Sequence, residues 1–64
     1  MIEPGQVYTR PGDDGMVRVD DVKHGWVYFA RFMPGKEEGR LMRQQVGLFA
    51  ISLEHSGLTL REEL

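Results

Sequence analysis

Turn signals recur at short intervals along this chain of 64 residues and limit what it can fold into. Pro-Gly pairs stand at residues 4–5, 11–12 and 34–35, and a His-Gly pair stands at residues 24–25. Proline presets φ and glycine readily adopts a positive φ, so such pairs favour tight turns. The segments between them are short and rich in valine and aromatic residues, which are typical of β-strands.

Composition narrows the class of protein further. The hydrophobic share of 41% and the charged share of 28% are ordinary for a globular protein. The core must be small, because a chain of this length buries only about 60% of the surface that its unfolded form exposes. The sequence has no cysteine, no signal-peptide pattern and no apolar run near the roughly 20 residues that cross a bilayer. We therefore expect one cytoplasmic domain without a membrane partner.

Three strands are predicted in the first half of the chain, at residues 6–10, 16–23 and 26–32. Val17 and Val19 alternate as in a strand, but the next apolar residue, Val22, is out of phase by one position. One extra residue at Asp20-Asp21 restores the phase, which predicts a β-bulge that bends the strand. The two residues that separate the second and third strands predict an antiparallel hairpin.

Residues 40–55 carry two conflicting patterns. Four apolar residues have the spacing of a helix, at Met42, Val46, Phe49 and Leu53. Three alternate as in a strand, at Phe49, Ile51 and Leu53. Gly47 would cost about 1 kcal/mol inside a helix. We expect a short strand at 41–43, a helical turn at 44–48 and a strand at 49–54, and the alternative is a single helix over residues 40–55.

These elements predict a mainly β fold, a small five-stranded antiparallel barrel with a short helical turn before the last strand. The barrel spans residues 1–57, and a C-terminal tail spans residues 58–64. A barrel is favoured because closure removes the exposed edges that a flat sheet of this size would have. The residues predicted to face the core are Val7, Val17, Val19, Val22, Val27, Phe29, Phe49, Ile51 and Leu53.

A longer pattern covers most of residues 4–57. It combines a Pro-Gly-x-x-Tyr-like opening, a Val-x-Val strand, an aromatic third strand and a late arginine followed by a phenylalanine. It falls on Pro4, Gly5, Tyr8, Val17, Val19, Val27, Phe29, Arg43 and Phe49. With this pattern the chain resembles short SH3-like barrel proteins of bacteria and their prophages, most of which have no assigned activity. The resemblance implies an SH3-like barrel and a phage or prophage protein.

The sequence offers few candidates for catalysis or metal binding. His24 and His55 are candidate acid–base residues, because histidine titrates near neutral pH, but no serine or cysteine nucleophile has a partner at a recognisable spacing. The paired aspartates at 13–14 and 20–21 are explained by the turn and the bulge in which they lie. We therefore expect no enzyme, no cofactor and no metal site.

The third predicted strand carries apolar residues on both of its faces. If Val27 and Phe29 face the core, then Trp26, Tyr28 and Phe32 face outward, because successive side chains of a strand alternate. Basic residues lie in this strand or flank it at some distance in the sequence, at Lys23, Arg31, Arg40 and Arg43. Aromatic rings beside cations anchor protein partners or stack on nucleic-acid bases.

We therefore predict a non-catalytic interaction module that binds a protein partner, from a host or a phage, through these aromatic and basic residues. The alternative is a nucleic-acid-binding module that uses the same surface, which the formal net charge of -2 disfavours. Three other ways of covering the aromatic residues remain open: the helical turn, the C-terminal tail, and a second copy of the chain in a homodimer.

Overall fold

The computed structural model of the chain describes residues 1–61 and contains five strands and one short helix. The strands are β1 (Val7–Arg10), β2 (Asp13–Lys23), β3 (Trp26–Phe32), β4 (Met42–Gln45) and β5 (Thr59–Leu60), and the helix is α1 (Val46–His55). The strands pair antiparallel in a single sheet of order β4-β3-β2-β1-β5. The predicted mainly β fold with five antiparallel strands is confirmed.

The hairpin of β2 and β3 confirms two predictions about its geometry. His24 and Gly25 connect the strands with φ of 53° and 77°, the positive values that a type I′ turn needs. The register shifts between Val19 and Asp21, where the sequence predicts a β-bulge. Beyond the bulge Val22 packs against the core, so the extra residue lets Val22 face the same side of the sheet as Val17 and Val19.

The last third of the chain differs from the prediction. A ten-residue helix, α1, replaces the short helical turn and the strand predicted at residues 49–54, so that strand is wrong. Phe49 and Leu53, one helical turn apart, are buried, whereas Ile51 is 55% exposed. The alternative of one helix over residues 40–55 is also wrong, because β4 precedes α1 and pairs with β3.

The sheet does not close into the predicted barrel. β4 and β5 are its two edges, and they do not pair with each other within residues 1–61. The residues predicted to form the closing strand form α1 instead, and β5 has only two residues, which pair with β1. One face of the sheet is therefore covered by a helix rather than by further strands.

The core lies between α1 and the face of the sheet that we call the inner face. Its buried residues are Tyr8, Val17, Val19, Val27, Phe29, Phe49 and Leu53. The Phe49 ring lies at the centre of the contacts: its centroid is 4.8 Å from that of Phe29, and it meets the Tyr8 ring edge-on at 6.4 Å. Phe49 thus joins the helix to two strands of the sheet.

Val7 and Ile51 lie outside this core, although the sequence predicts them inside it. Tyr8 pairs with Val17, so both face inward, and Val7, the next residue along the strand, faces the opposite way. Ile51 is two residues from buried Phe49, a separation of about 200° around a helix, so the two side chains point in opposite directions.

The segment predicted as a C-terminal tail joins the sheet soon after α1 ends. Leu58 packs against the core, and its N–H donates to the Leu53 carbonyl at 2.9 Å. β5 then pairs with β1, and the Arg61 N–H donates to the Val7 carbonyl at 2.7 Å. Residues 62–64, which the tail prediction also covers, lie outside the described residues.

Candidate interaction surface

The outer face, the side of the sheet opposite α1, carries three of the four aromatic residues of β3. Trp26, Tyr28 and Phe32 are half-buried there. They alternate with Val27 and Phe29, which are 0% and 9% exposed on the inner face. The pleat of a strand produces this alternation. The structure therefore places the three aromatic residues of the predicted site on one surface.

Two cations of the predicted site lie over two of these rings. The Arg43 guanidinium carbon is 4.6 Å from the centroid of the Trp26 ring. The Lys23 ammonium nitrogen is 5.5 Å from the centroid of the Tyr28 ring. Cation–π attraction acts within about 6 Å and contributes roughly 0.5–1 kcal/mol at exposed sites. The two side chains thus lie over the rings while their charged groups remain accessible to water.

A third cation, Arg18 of β2, lies over Phe32 with its guanidinium carbon 4.6 Å from the ring centroid. The sequence-based site omits Arg18, although alternation could have found it. Arg18 stands between Val17 and Val19, both predicted to face the core, so its own side chain must point outward. We call the following six residues the cation–aromatic face: Arg18, Lys23, Trp26, Tyr28, Phe32 and Arg43.

Carboxylates pair with two of these cations. Arg18 Nε donates to Asp20 Oδ1 at 2.7 Å, and Arg18 Nη2 lies 3.3 Å from Glu38 Oε1. The hydrogen bond to Asp20 raises the pKa of Arg18 above its ordinary value. Lys23 Nζ lies 3.9 Å from Asp21 Oδ2. Exposed pairs of this kind contribute only about 0–1 kcal/mol each, so their main effect here is to balance the local charge.

Arg43 differs from the other two cations of the face. It forms no salt bridge with a carboxylate among residues 1–61. The ring beneath it, Trp26, stands at the start of β3 and pairs with Gln45 at the end of β4. This corner of the sheet therefore combines a half-buried indole ring with a guanidinium whose donors are available to a partner.

Arg31 and Arg40, the other basic residues of the predicted site, do not join the three rings. Arg31 pairs with buried Val17, so its side chain starts from the inner face. Arg40 is exposed in the connection between β3 and β4 and lies over none of the rings. The neighbouring Gly39 N–H donates to the Arg31 carbonyl at 2.9 Å, which holds this connection against β3.

The two histidines are exposed and lie on different elements, His24 in the hairpin turn and His55 at the end of α1. No group of three or more histidine, aspartate or glutamate side chains that could hold a metal ion occurs within residues 1–61. In the same part of the chain, no helix is long and apolar enough to cross a membrane.

The chain matches no protein-family model, no curated protein and no solved structure. The SH3-like resemblance and the phage association thus stay predictions.

Proposed function

We propose that this protein is a non-catalytic interaction module that binds a protein partner through the cation–aromatic face. The observation that carries the proposal is the corner formed by Trp26 and Arg43, where the guanidinium carbon is 4.6 Å from the ring centroid. Tryptophan, tyrosine and arginine are the residue types most enriched among those that dominate binding energy at protein interfaces. All three types meet on this face, and α1 leaves them uncovered.

The charges of the face favour a protein as the partner. Within residues 1–61, its cations Arg18 and Lys23 already have carboxylate partners, and Arg43 is the one that does not. A partner that offers a carboxylate to Arg43 and an apolar surface to the neighbouring rings would match this pattern. The paired charges around them would form a polar rim, which sets orientation more than affinity.

Nucleic-acid binding through the same face is the second candidate, because aromatic rings with nearby cations stack on bases and hold phosphates. Three carboxylates interleaved with the cations count against it, since they would repel a phosphate backbone. A salt titration separates the two candidates. Phosphate contacts make the logarithm of the binding constant fall steeply with the logarithm of salt concentration, and a mainly apolar protein interface changes little.

The SH3-like assignment and the phage or prophage association are part of the same proposal. The first is supported by the sequence pattern and by the meander of strands with a bulge in β2. The second rests on the sequence resemblance alone. The phage or prophage association determines which lysates are used in the experiment that tests binding.

Affinity capture from bacterial lysates, prepared with and without prophage induction, tests the proposed function. The immobilised wild type is compared with Trp26→Ala and with Leu48→Ala. Leu48 is the control, because it lies on α1, away from the cation–aromatic face, and is 52% exposed. We expect the wild type and the Leu48→Ala control to retain the same partner protein from the lysate. Trp26→Ala should bind that protein about tenfold more weakly or not at all. Equal retention by all three variants, with Trp26→Ala folded by circular dichroism, would contradict the proposal.

A further inference from the structure

A groove lies beside α1 on the inner face, on the side of the sheet opposite Trp26 and Tyr28. It consists of two neighbouring cavities of about 480 and 340 Å³. Both cavities are lined by Val17, Arg31, Ser56 and Leu58, so they meet at these residues. Their size falls in the range of about 300–1,000 Å³ that is typical of ligand sites.

The larger cavity has an apolar floor with a few polar groups at its rim. The floor is formed by core residues and their neighbours: Val17, Phe29, Met42, Phe49, Leu53 and Leu58. The polar groups are Arg31, Gln44, Ser52 and Ser56, together with Arg43. Since the Arg43 guanidinium lies over Trp26 on the outer face, Arg31 is the cation of the groove.

The charge of the groove is opposite to that of the chain. The chain has a formal net charge of -2, yet the described lining of the larger cavity contains arginines and no carboxylate. In the smaller cavity Arg10 and Asp13 form a salt bridge and cancel each other. Arg31 forms no salt bridge among residues 1–61, so it would attract an anion to the point where the cavities meet.

The uncharged polar groups distinguish a peptide from a simple amphiphile. An alkyl carboxylate has one polar end, so once that end pairs with Arg31 its alkyl chain offers no hydrogen-bonding group to the Gln44 amide or to the Ser52 and Ser56 hydroxyls. A peptide offers backbone N–H and C=O groups at regular intervals, which these side chains can accept from and donate to. Two cavities that meet, with uncharged polar groups beside an apolar lining, therefore favour a peptide segment.

We propose that this groove binds a short acidic peptide segment of a partner protein. An apolar side chain of the segment enters the cavity beside Phe49, and a neighbouring aspartate or glutamate side chain pairs with Arg31. Arg43 and Phe32 of the cation–aromatic face also line the larger and the smaller cavity, respectively, but Trp26 lines neither, so a substitution of Trp26 tests the two sites separately.

The probes are peptides selected from a displayed library of random heptapeptides on the wild-type protein, then synthesised with capped ends. Binding is measured by titrating each peptide into ¹⁵N-labelled protein and following backbone amide signals. Arg31→Gln removes the cation, and Arg40→Gln is the matched control, because Arg40 is exposed and does not line either cavity.

We expect the selection to enrich peptides in which an acidic residue adjoins a large apolar residue, and the shifted signals to fall on Val17, Phe29 and Leu53. Affinity should fall about tenfold for Arg31→Gln and for a peptide with asparagine in place of its aspartate, and should be unchanged for Arg40→Gln. Trp26→Ala should not alter it, which separates this site from the outer face.

Three results would overturn the proposal. The first is enrichment of peptides without the acidic and apolar pair, or no enrichment at all. The second is equal binding by wild type and Arg31→Gln, or signal changes confined to the outer face. The third is tighter binding of sodium octanoate than of the selected peptides with the same signals shifted, which would assign the groove to alkyl carboxylates.

Discussion

Neighbouring residues of β3 lie in two different environments. On the inner face Val27 and Phe29 are 0% and 9% exposed, because α1 places Phe49 and Leu53 over them. On the outer face the aromatic residues stay half-buried, and the cover over them consists of arginine and lysine side chains. Within residues 1–61, the ten-residue helix α1 covers one face of the sheet and leaves the other uncovered.

The two covers differ in what they contribute. Burying a large apolar side chain contributes about 1.5–3 kcal/mol to stability, whereas an exposed cation–π contact contributes about 0.5–1 kcal/mol. Substitutions on the inner face should therefore change mainly stability. Substitutions on the outer face should change mainly binding.

The largest effect should come from Phe49→Ala on the inner face. Truncating a buried phenylalanine costs about 3–5 kcal/mol, which is comparable with the whole stability of a domain this small, roughly 3–10 kcal/mol. Urea unfolding followed by circular dichroism measures the loss, and Phe49→Leu serves if Phe49→Ala does not fold. Ile51→Ala, on the exposed side of the same helix, is the control and should change stability by less than about 0.5 kcal/mol. Equal losses at both positions would show that α1 does not pack as described.

The hairpin turn sets which residues of β3 face inward, and its two residues should respond in opposite directions. Gly25 has a φ of 77°, so Gly25→Ala should lower stability by about 1–2 kcal/mol. His24 has a φ of 53°, which asparagine tolerates better, so His24→Asn should raise stability by roughly 0.5 kcal/mol. Thermal unfolding of both variants checks the signs. A loss of stability in His24→Asn would argue against a type I′ turn.

A smaller effect should couple Trp26 to Arg43 on the outer face. In a double-mutant cycle of Trp26→Leu and Arg43→Gln, we expect a coupling of about 0.5–1 kcal/mol in the free energy of unfolding. The cycle with Arg40→Gln in place of Arg43→Gln should give no coupling, because Arg40 lies over none of the rings. Zero coupling in the first cycle would mean that Arg43 does not cover Trp26 in solution.

The smallest effect should come from Asp13, the first residue of β2. Hydrogen bonds from the Arg10 guanidinium and the Gly15 N–H lower the pKa of Asp13 below its ordinary value of 3.8. A carboxyl whose pKa is lowered by folding stabilises the fold at higher pH and loses that effect as the pH falls through the lowered pKa. Asp13→Asn should therefore reduce the drop in melting temperature below about pH 4. Identical pH profiles for wild type and Asp13→Asn would contradict this; Asp14→Asn is the control.

The sequence was sufficient to locate the first three strands because local signals agree there, although β2 begins at Asp13, three residues earlier than predicted. The turn residues fix where β2 and β3 end, and the misplaced phase of Val22 locates the bulge between Val19 and Asp21. The cation over Phe32 was also within reach, since Arg18 alternates with two core valines. Strand alternation carries this information without knowledge of distant contacts.

The sequence was not sufficient for α1 because its exposed side is also apolar. Val46, Leu48 and Ile51 are 37%, 52% and 55% exposed, so the contrast that reveals one face of a helix is weak. The alternation of Phe49 with Ile51 then resembles a strand. The pairing of β5 depends on how distant segments meet, which no local pattern specifies. The inward position of Arg31 was within reach of the sequence, because Arg31 lies on the same side of the strand as Val27 and Phe29.

Acrylamide quenching of Trp26, the single tryptophan of the chain, tests most directly whether the outer face is left uncovered by the chain itself. We predict partial quenching that is the same at low and high protein concentration and that increases in Arg43→Ala. A Trp26 that acrylamide does not reach at any concentration would contradict the account, because the chain itself would then cover the face. Quenching that decreases as concentration rises would show that a second copy covers it.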